Sequence, residues 1–279
     1  MGILYLVATP IGNLEDISAR ALRILGQISL IAAEDTRQTR KLLTHYEIHT
    51  SLTSYFEHNK LTKLDAILAA LATGDVALVS DAGTPGLNDP GFELVRAALA
   101  AGHSVTPLPG PCAPIAALVA SGLSTDAFLY LGYLPRKKNE RQQFIEKIKA
   151  MPYTLVLLET PHRLLAALAD LESILGDRPI AVARELTKLH EEILRLPLKQ
   201  ARQHFEMNPP RGEFTLVVSG CPQMAVGTWT ESDLTSAIQA ALQKGEPISS
   251  LAARLAAESG WERRKIYKQA ALIRSRTKS

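Results

Sequence analysis

Two cysteines, Cys112 and Cys221, are all that 279 residues contain. So few exclude a disulfide framework and leave no Cys-x-x-Cys pair for a metal or redox motif, which suits a reducing, cytoplasmic setting. No apolar run is long enough to span a membrane. The opening Met1–Ala8 lacks the basic n-region of a signal peptide and reads instead as a first strand. There is no GxxxxGK[ST] phosphate loop and no GxGxxG turn, so ATP and NAD readings lose their main support. No serine stands in a GxSxG elbow. His103, His162 and His190 are isolated, without ligand spacing, so no metal site is expected.

What is present describes a soluble globular protein long enough for two cored domains, with 46% hydrophobic and 21% charged residues. The net charge of +3 is unevenly spread. Up to Met224 there are 22 Lys or Arg against 23 Asp or Glu, whereas from Ala225 onward there are 9 against 5. A basic tail suits a polyanion, although short basic tails also serve as solvated surface.

Short apolar runs alternate with helical patterns. Strands are expected at Ile3–Ala8, Ile28–Ala33, Val76–Ser80 and Ser104–Pro107. Helices are expected at Ser18–Leu25, Thr36–Thr44, Lys60–Ala72, Phe92–Ala101 and Ala113–Ser121. This alternation predicts a parallel, helix-covered sheet over residues 1–121. A second block, residues 122–221, has strands at Phe128–Gly132, Thr154–Leu158, Ile180–Arg184, Glu192–Leu196 and Phe214–Ser219. Its helices are Arg141–Ala150, Arg163–Leu175 and Leu198–Phe205, and its closely spaced late strands predict a mixed sheet. Residues 222–279 comprise a linker and three helices. The first is capped by Thr230 or Ser232 and the second by Ser249. The third runs Trp261–Arg274 after a turn at Gly260, an outline resembling a helix-turn-helix.

The most informative stretch is Ser80-Asp81-Ala82-Gly83-Thr84-Pro85-Gly86-Leu87-Asn88-Asp89-Pro90-Gly91. It follows an apolar strand and precedes a helix, with Pro90 placed as first helical residue and Asp89 as its N-cap. A dozen residues exceed an ordinary strand-to-helix turn, and open α/β sheets bind ligands at that edge. Three more such loops follow strands: Thr9-Pro10-Ile11-Gly12-Asn13-Leu14-Glu15-Asp16, Leu108-Pro109-Gly110-Pro111-Cys112-Ala113-Pro114 and Glu159-Thr160-Pro161-His162-Arg163. The first two share an edge with the long loop, and the last, from the second block, can close a cleft over them. Charged clusters stand at two further strand ends, Glu34-Asp35-Thr36-Arg37 and Arg184-Glu185-Leu186-Thr187-Lys188. Asp35 suits an N-cap, with Glu34 and Arg37 paired at the surface, and it equally suits a base, as does Glu185. Arg37, Arg184 or Lys188 can hold phosphate. In the tail, Arg263, Arg264, Lys265, Lys268, Arg274, Arg276 and Lys278 interleave with Trp261 and Tyr267, which suits stacking plus charge on nucleic acid. The same pattern arises if Trp261, Ile266 and Ala270 are core positions and the rest a solvated face.

In order along the chain, Leu6-Val7-Ala8-Thr9-Pro10-Ile11-Gly12-Asn13-Leu14, Glu34 to Arg37, Ser80 to Gly91, Pro109 to Ala113, Glu159 to Arg163, Ala183 to Lys188 and Gly212-Glu213-Phe214 resemble the tetrapyrrole methylase superfamily. They are most similar to its ribosomal RNA small subunit methyltransferase I branch. The resemblance covers Ile3 to about Ser219, and the helical tail is similar to that branch's C-terminal extension. It implies two α/β domains folding S-adenosylmethionine into the cleft between them, in a homodimer. It also implies 2′-O-methylation of a cytidine ribose in the decoding region of small-subunit (16S) ribosomal RNA, in the assembled 30S subunit. Carried over by position, the cofactor contacts are Pro10, Ala82, Gly83, Thr84, Leu87, Cys112 and Ala113, with Glu159 at a cofactor-lining place. Porphyrin-modifying members usually carry Gly-Gly-Asp-Pro where this chain has Ala82-Gly83-Thr84-Pro85, so the aspartate is absent here. For chemistry, the expectation is Glu185 as base, with Asp35 as the other candidate and Lys188 or Arg37 holding the RNA backbone. Two other readings fit parts of the chain. A cobalamin or sirohaem precursor methyltransferase of the same fold does not need the basic tail. A non-catalytic α/β sensor with a helix-turn-helix DNA reader leaves the charged clusters idle.

Overall fold

The computed structural model describes residues 2–222 and 229–276, apart from the side chains of Lys60, Ala257 and Arg276. Lys278 and most of the expected linker lie outside the described residues. The chain divides into one compact unit, Met1–Gly220, and a second, Cys221–Ser279.

The first unit holds two five-stranded sheets. Strands β1 (Ile3–Val7), β2 (Leu30–Ala33), β3 (Ser51–Ser54), β4 (Val76–Val79) and β5 (Ser104–Leu108) alternate with helices α1 (Ala19–Gln27), α2 (Thr36–His45), α3 (Lys60–Thr73), α4 (Phe92–Ala100) and α5 (Ala113–Ala120). All four residues of β4 are buried, as expected of a parallel strand covered on both faces. The order is β3-β2-β4-β1-β5, parallel throughout. The chain leaves β1 toward β2 on one side and leaves β4 toward β5 on the other. The crevice between the carboxyl ends of β1 and β4 is therefore the topological switch point, where this architecture takes ligands.

The second sheet, β6 (Phe128–Tyr133), β7 (Thr154–Glu159), β8 (Pro179–Arg184), β9 (Glu192–Pro197) and β10 (Phe214–Val218), has order β6-β7-β10-β8-β9. It is mixed: β6 and β7 are parallel and every other pairing is antiparallel. Helices α6 (Lys138–Ile148), α7 (Pro161–Leu175) and α8 (Leu198–Met207) cover it, and its largest core cluster is aliphatic apart from Phe205 and Phe214. Within this core, Arg141 Nη2 meets Asp170 Oδ2 at 2.6 Å with both side chains under a tenth exposed. Gln142 donates to the other carboxylate oxygen at 2.8 Å, tying α6 to α7.

The second unit is three helices, α9 (Glu231–Gln243), α10 (Ile248–Ser259) and α11 (Arg263–Arg276), around Leu234, Ile238, Leu251, Leu255, Ile266 and Ala270. Thr230 and Asp233 form a capping box on α9. Helix α10 starts at Ile248 after Pro247 and has no side-chain cap, so Ser249 is inside the helix rather than its N-cap. Gly260 ends α10 in the left-handed region, at φ 71°.

Two further details differ from the sequence expectation. The edge strand β3, Ser51-Leu52-Thr53-Ser54, pairs with β2 but is too polar to read as a buried strand. Helix α4 begins at Phe92 after Gly91, so Asp89 does not cap it and Pro90 is not its first residue.

Candidate active site

Three loops of the first sheet are tied together at the switch point. Thr9 and Gly83 exchange backbone hydrogen bonds at 2.9 and 3.0 Å, and the Thr9 hydroxyl donates to the Ser80 carbonyl at 3.1 Å. The Thr84 hydroxyl donates to the Pro111 carbonyl at 3.2 Å. The β2 end joins from the other side: Asp35 N–H donates to Asp81 Oδ1 at 2.9 Å and Asp81 N–H to Glu34 Oε2 at 3.3 Å.

Across from these loops, the second sheet presents Tyr130, Tyr133, Leu158, Glu159, Ala183, Leu186, Glu213, Phe214 and Thr215, enclosing a cavity of about 250 Å³. The first sheet contributes Ile11, Glu34, Asp81, Ala82, Gly83, Thr84, Leu87, Asn88, Asp89, Cys112, Ala113 and Pro114. Of the expected cofactor contacts, Ala82, Gly83, Thr84, Leu87, Cys112, Ala113 and Glu159 line this cavity. Pro10 instead lines a neighbouring hollow with Ser80, Asp81 and Lys41.

The lining includes five carboxylates, Glu34, Asp81, Asp89, Glu159 and Glu213, and no Lys, Arg or His. Burial, with mutual repulsion added, pushes the pKa values of Glu34, Asp81 and Asp89 above the usual carboxylate range. Glu159 is raised as well, its burial outweighing the Thr160 N–H and the Arg163 and Arg141 guanidiniums. Its Oε1 accepts from Thr160 N–H at 2.8 Å and faces Arg163 Nε at 3.3 Å, while buried Oε2 has no protein partner. An unsatisfied buried carboxylate oxygen in a cavity wall is costly unless a ligand supplies its donor. Among the described residues, no group of three or more His, Cys, Asp or Glu is placed to hold a metal ion.

None of Asp35, Arg37, Glu185 and Lys188 lines the cavity. Asp35 N-caps α2 through the Arg37 N–H and also pairs with the Arg37 guanidinium, 2.6 Å between Oδ2 and Nη2. These hydrogen bonds, first that from the guanidinium, hold its pKa down at about 2. The expected Glu34–Arg37 surface pair is therefore not formed; Glu34 turns inward to Asp81 instead. In the other cluster, Glu185 (φ 50°) and Thr187 (φ 65°) both occupy the left-handed region, which costs on the order of 1–2 kcal/mol for each non-glycine residue. The strained turn aims Leu186 into the cavity. It also brings Lys188 Nζ to 3.1 Å from Glu185 Oε1 and 2.9 Å from Glu213 Oε2. Burial would lower the Lys188 pKa, but these two partners raise it overall, so the ammonium stays charged. Burial would raise the Glu185 pKa, but the Glu213 N–H and Lys188 outweigh it and leave it lowered. A carboxylate so engaged is a weak base. Gly212, at φ +86°, leaves room for it, since a Cβ there would lie 2.5 Å from the Glu185 carboxyl. Opposite, Gly12 lets the β1 loop approach: a Cβ there would meet Lys188 Cγ at 2.3 Å, and Asn13 N–H donates to Thr187 Oγ1 at 3.1 Å.

Sequence reasoning missed Glu34, Asn88, Tyr130 and Tyr133 as lining residues. The two tyrosines are three apart on one strand, which period-two alternation puts on opposite faces. The register of β6 slips between Tyr130 and Gly132, and this bulge turns both toward the cavity.

In the second unit, Arg263, Arg264, Lys265, Lys268 and Arg274 are all exposed on α11. Trp261 packs against the core and donates its indole N–H to the Trp229 carbonyl at 2.9 Å, so of the two interleaved aromatics only Tyr267 is exposed.

Comparison with known proteins bears on the family and the fold. The family described as Tetrapyrrole (Corrin/Porphyrin) Methylases matches residues 3–202. Ribosomal RNA small subunit methyltransferase I of Synechocystis is 47% identical over 269 residues, 96% of each chain. The protein of that name from Escherichia coli O157:H7 is 44% identical, covering 96% of this chain and 94% of the relative. The chain belongs to the tetrapyrrole methylase family, in its ribosomal RNA small subunit methyltransferase I branch. Solved structures share the fold at lower identity. A diphthine synthase superposes with TM-score 0.62 at 14% identity, over 78% of this chain and 90% of that one. Uroporphyrin-III C-methyl transferase from Thermus thermophilus, solved with S-adenyl homocysteine, gives 0.55 at 19%, over 77% and 97%. Among the described residues, no helix of this family member is long and apolar enough to cross a membrane.

Proposed function

We propose that this chain transfers a methyl group from S-adenosylmethionine to a cytidine ribose 2′-oxygen in the decoding region of small-subunit 16S ribosomal RNA. The assembled 30S subunit is the substrate, and the cytoplasm is the setting. The observation that carries this reading is the cavity at the switch point, with five acidic side chains and no basic one in its wall. Such a wall repels phosphates and attracts a cation. When bound, S-adenosylmethionine supplies an electrophilic methyl on a sulfonium, and its amino group is a second positive charge. The unpartnered Glu159 Oε2 suits a donor of such a ligand, while Leu87, Ala113 and Phe214 exclude water from around it. In-line displacement needs positioning more than functional-group chemistry.

Pro10, on the next hollow, shapes the loop that carries Ile11 into the wall. The raised carboxylates Glu34, Asp81 and Asp89 are the groups able to take the hydroxyl proton. Glu185, whose carboxylate is committed to Lys188 and Glu213, has the role of holding that ammonium at the rim, beside the RNA backbone. Asp35 and Arg37 act at the start of α2, outside the cavity. Arg263, Arg264, Lys265, Lys268 and Arg274 supply a second RNA contact. Residues 1–121 and 122–221 are the two halves of the cleft and residues 222–279 the RNA-contact segment. A homodimer is part of the reading: α4 exposes Phe92 and Leu99, and α5 exposes Ile115 and Val119, apolar rows suited to a second copy.

The test is incubation with methyl-labelled S-adenosylmethionine and small subunits from cells lacking the protein. Label should appear in a nuclease-resistant dinucleotide containing cytidine. Label on a base, or none on ribosomal RNA, refutes the proposal.

A further inference from the structure

An acidic cavity poses a problem for a polyanionic substrate, whose phosphates must be held elsewhere within reach of it. From the geometry we infer that the outer face of α2 is that place: a track for the phosphates of a single RNA strand running into the cavity. The inference rests on the function proposed above and adds a binding surface to it.

Helix α2 reads Thr36-Arg37-Gln38-Thr39-Arg40-Lys41-Leu42-Leu43-Thr44-His45 and contains no acidic residue. Its apolar side, Leu43 with Thr39, is buried, whereas Arg37, Arg40, Lys41, Thr44 and His45 are exposed. Asp35 already pairs with Arg37. Arg40 and Lys41 have no carboxylate partner among the described residues, and Lys41 Nζ meets only the Gln38 side-chain oxygen at 3.0 Å. These two cations are thus free to take phosphate.

Continuity with the cavity decides in favour of this face. The exposed α2 side chains line a shallow depression of about 680 Å³. Lys41 also lines the next hollow, of about 220 Å³, together with Asp81. Asp81 in turn lines the cavity itself. Depression, hollow and cavity therefore adjoin through two shared residues, Lys41 and Asp81, a path by which a strand whose ribose enters the cavity can run past Arg40 and Lys41. The α2 face has no exposed Phe, Tyr or Trp, and its cations suit the phosphate backbone, a contact that positions the strand without reading its bases.

The test uses the full chain, with Arg40→Gln/Lys41→Gln and the charge-reversed Arg40→Glu/Lys41→Glu, and binding to small subunits from cells lacking the protein. The first variant should bind about tenfold more weakly near physiological salt, and its log Kd should depend on log salt with a slope shallower by about 1.4, two single-strand phosphate contacts. The reversed variant should lose more, while both keep wild-type affinity for S-adenosylhomocysteine. Wild-type RNA affinity and salt slope in both variants would overturn the inference. Because binding is read directly, that failure is distinct from failure of the proposed activity, which would show as wild-type protein transferring no methyl group.

Discussion

Replacing Glu159 by Gln isolates one charge in the cavity wall with little change of shape. The side chain is 1% exposed and Oε1 is occupied by the Thr160 N–H, so Oε2 is the oxygen left for a ligand donor. A hydrogen bond to a charged acceptor contributes about 1.5–3 kcal/mol and a neutral one about 0.5–1.5. Glutamine has one acceptor oxygen, which the Thr160 N–H and Arg163 hold. Its amide NH2 therefore takes the place of Oε2 and cannot accept from the ligand, so the loss is at least about 1.5 kcal/mol, at least about tenfold in Kd. Calorimetric titration with S-adenosylhomocysteine should show at least that weakening. Arg163 remains anchored on the Leu134 and Pro135 carbonyls, so the variant should stay folded by circular dichroism. A folded Glu159→Gln protein with unchanged affinity would refute the assignment of Oε2 to the ligand.

Asp170→Ala leaves the Arg141 guanidinium buried without its counter-ion, which costs about 3–5 kcal/mol; thermal unfolding of the first unit should move down by about 10 °C. Stability and donor binding should respond oppositely to pH. The folded-state pKa values of Glu34, Asp81, Asp89 and Glu159 are raised, so the folded state binds more protons than the unfolded one above the ordinary carboxylate range. The contribution of these groups to stability therefore grows as pH falls from neutral toward that range, and the urea midpoint of the first unit should not fall between pH 7 and 5. The opposing groups Asp35 and Glu185, whose pKa values are lowered, lose their contribution only as pH falls from the ordinary range through their own values. Over the same interval, affinity for cationic S-adenosylmethionine should weaken more than affinity for the uncharged thioether S-adenosylhomocysteine. Glu185→Gln loosens Lys188 without touching the cavity, so single-turnover methylation should fall with S-adenosylhomocysteine affinity unchanged. Full activity would remove Glu185 from the account.

The parts of this fold legible in the sequence were those set by backbone physics. Val76–Val79 is uniformly apolar because it is covered on both faces, and the loops after parallel strands share one edge by topology. The cavity wall could therefore be foreseen from loop positions, and Asp35 could be foreseen as a cap. Other features depend on three-dimensional neighbours. The strand Ser51–Ser54 is held by pairing with β2 rather than by its own pattern. The role of Glu34 was hidden because Arg37, two residues from Asp35, takes that carboxylate, freeing Glu34 to turn inward. Tyr130 and Tyr133 share a side only through the β6 bulge. Local strain at Glu185 and Thr187, invisible in composition, turns the charged cluster away from the cavity and points Leu186 into it.

The central claim is that the cavity between the two sheets is the methyl-donor site, and filling it tests that claim most directly. Ala113 stands in the wall at the start of α5, where a tryptophan ring would occupy much of the space. S-adenosylhomocysteine should bind the wild-type chain and bind folded Ala113→Trp at least about a hundredfold more weakly, a difference near 2.7 kcal/mol. Equal affinity in the two proteins would contradict the account.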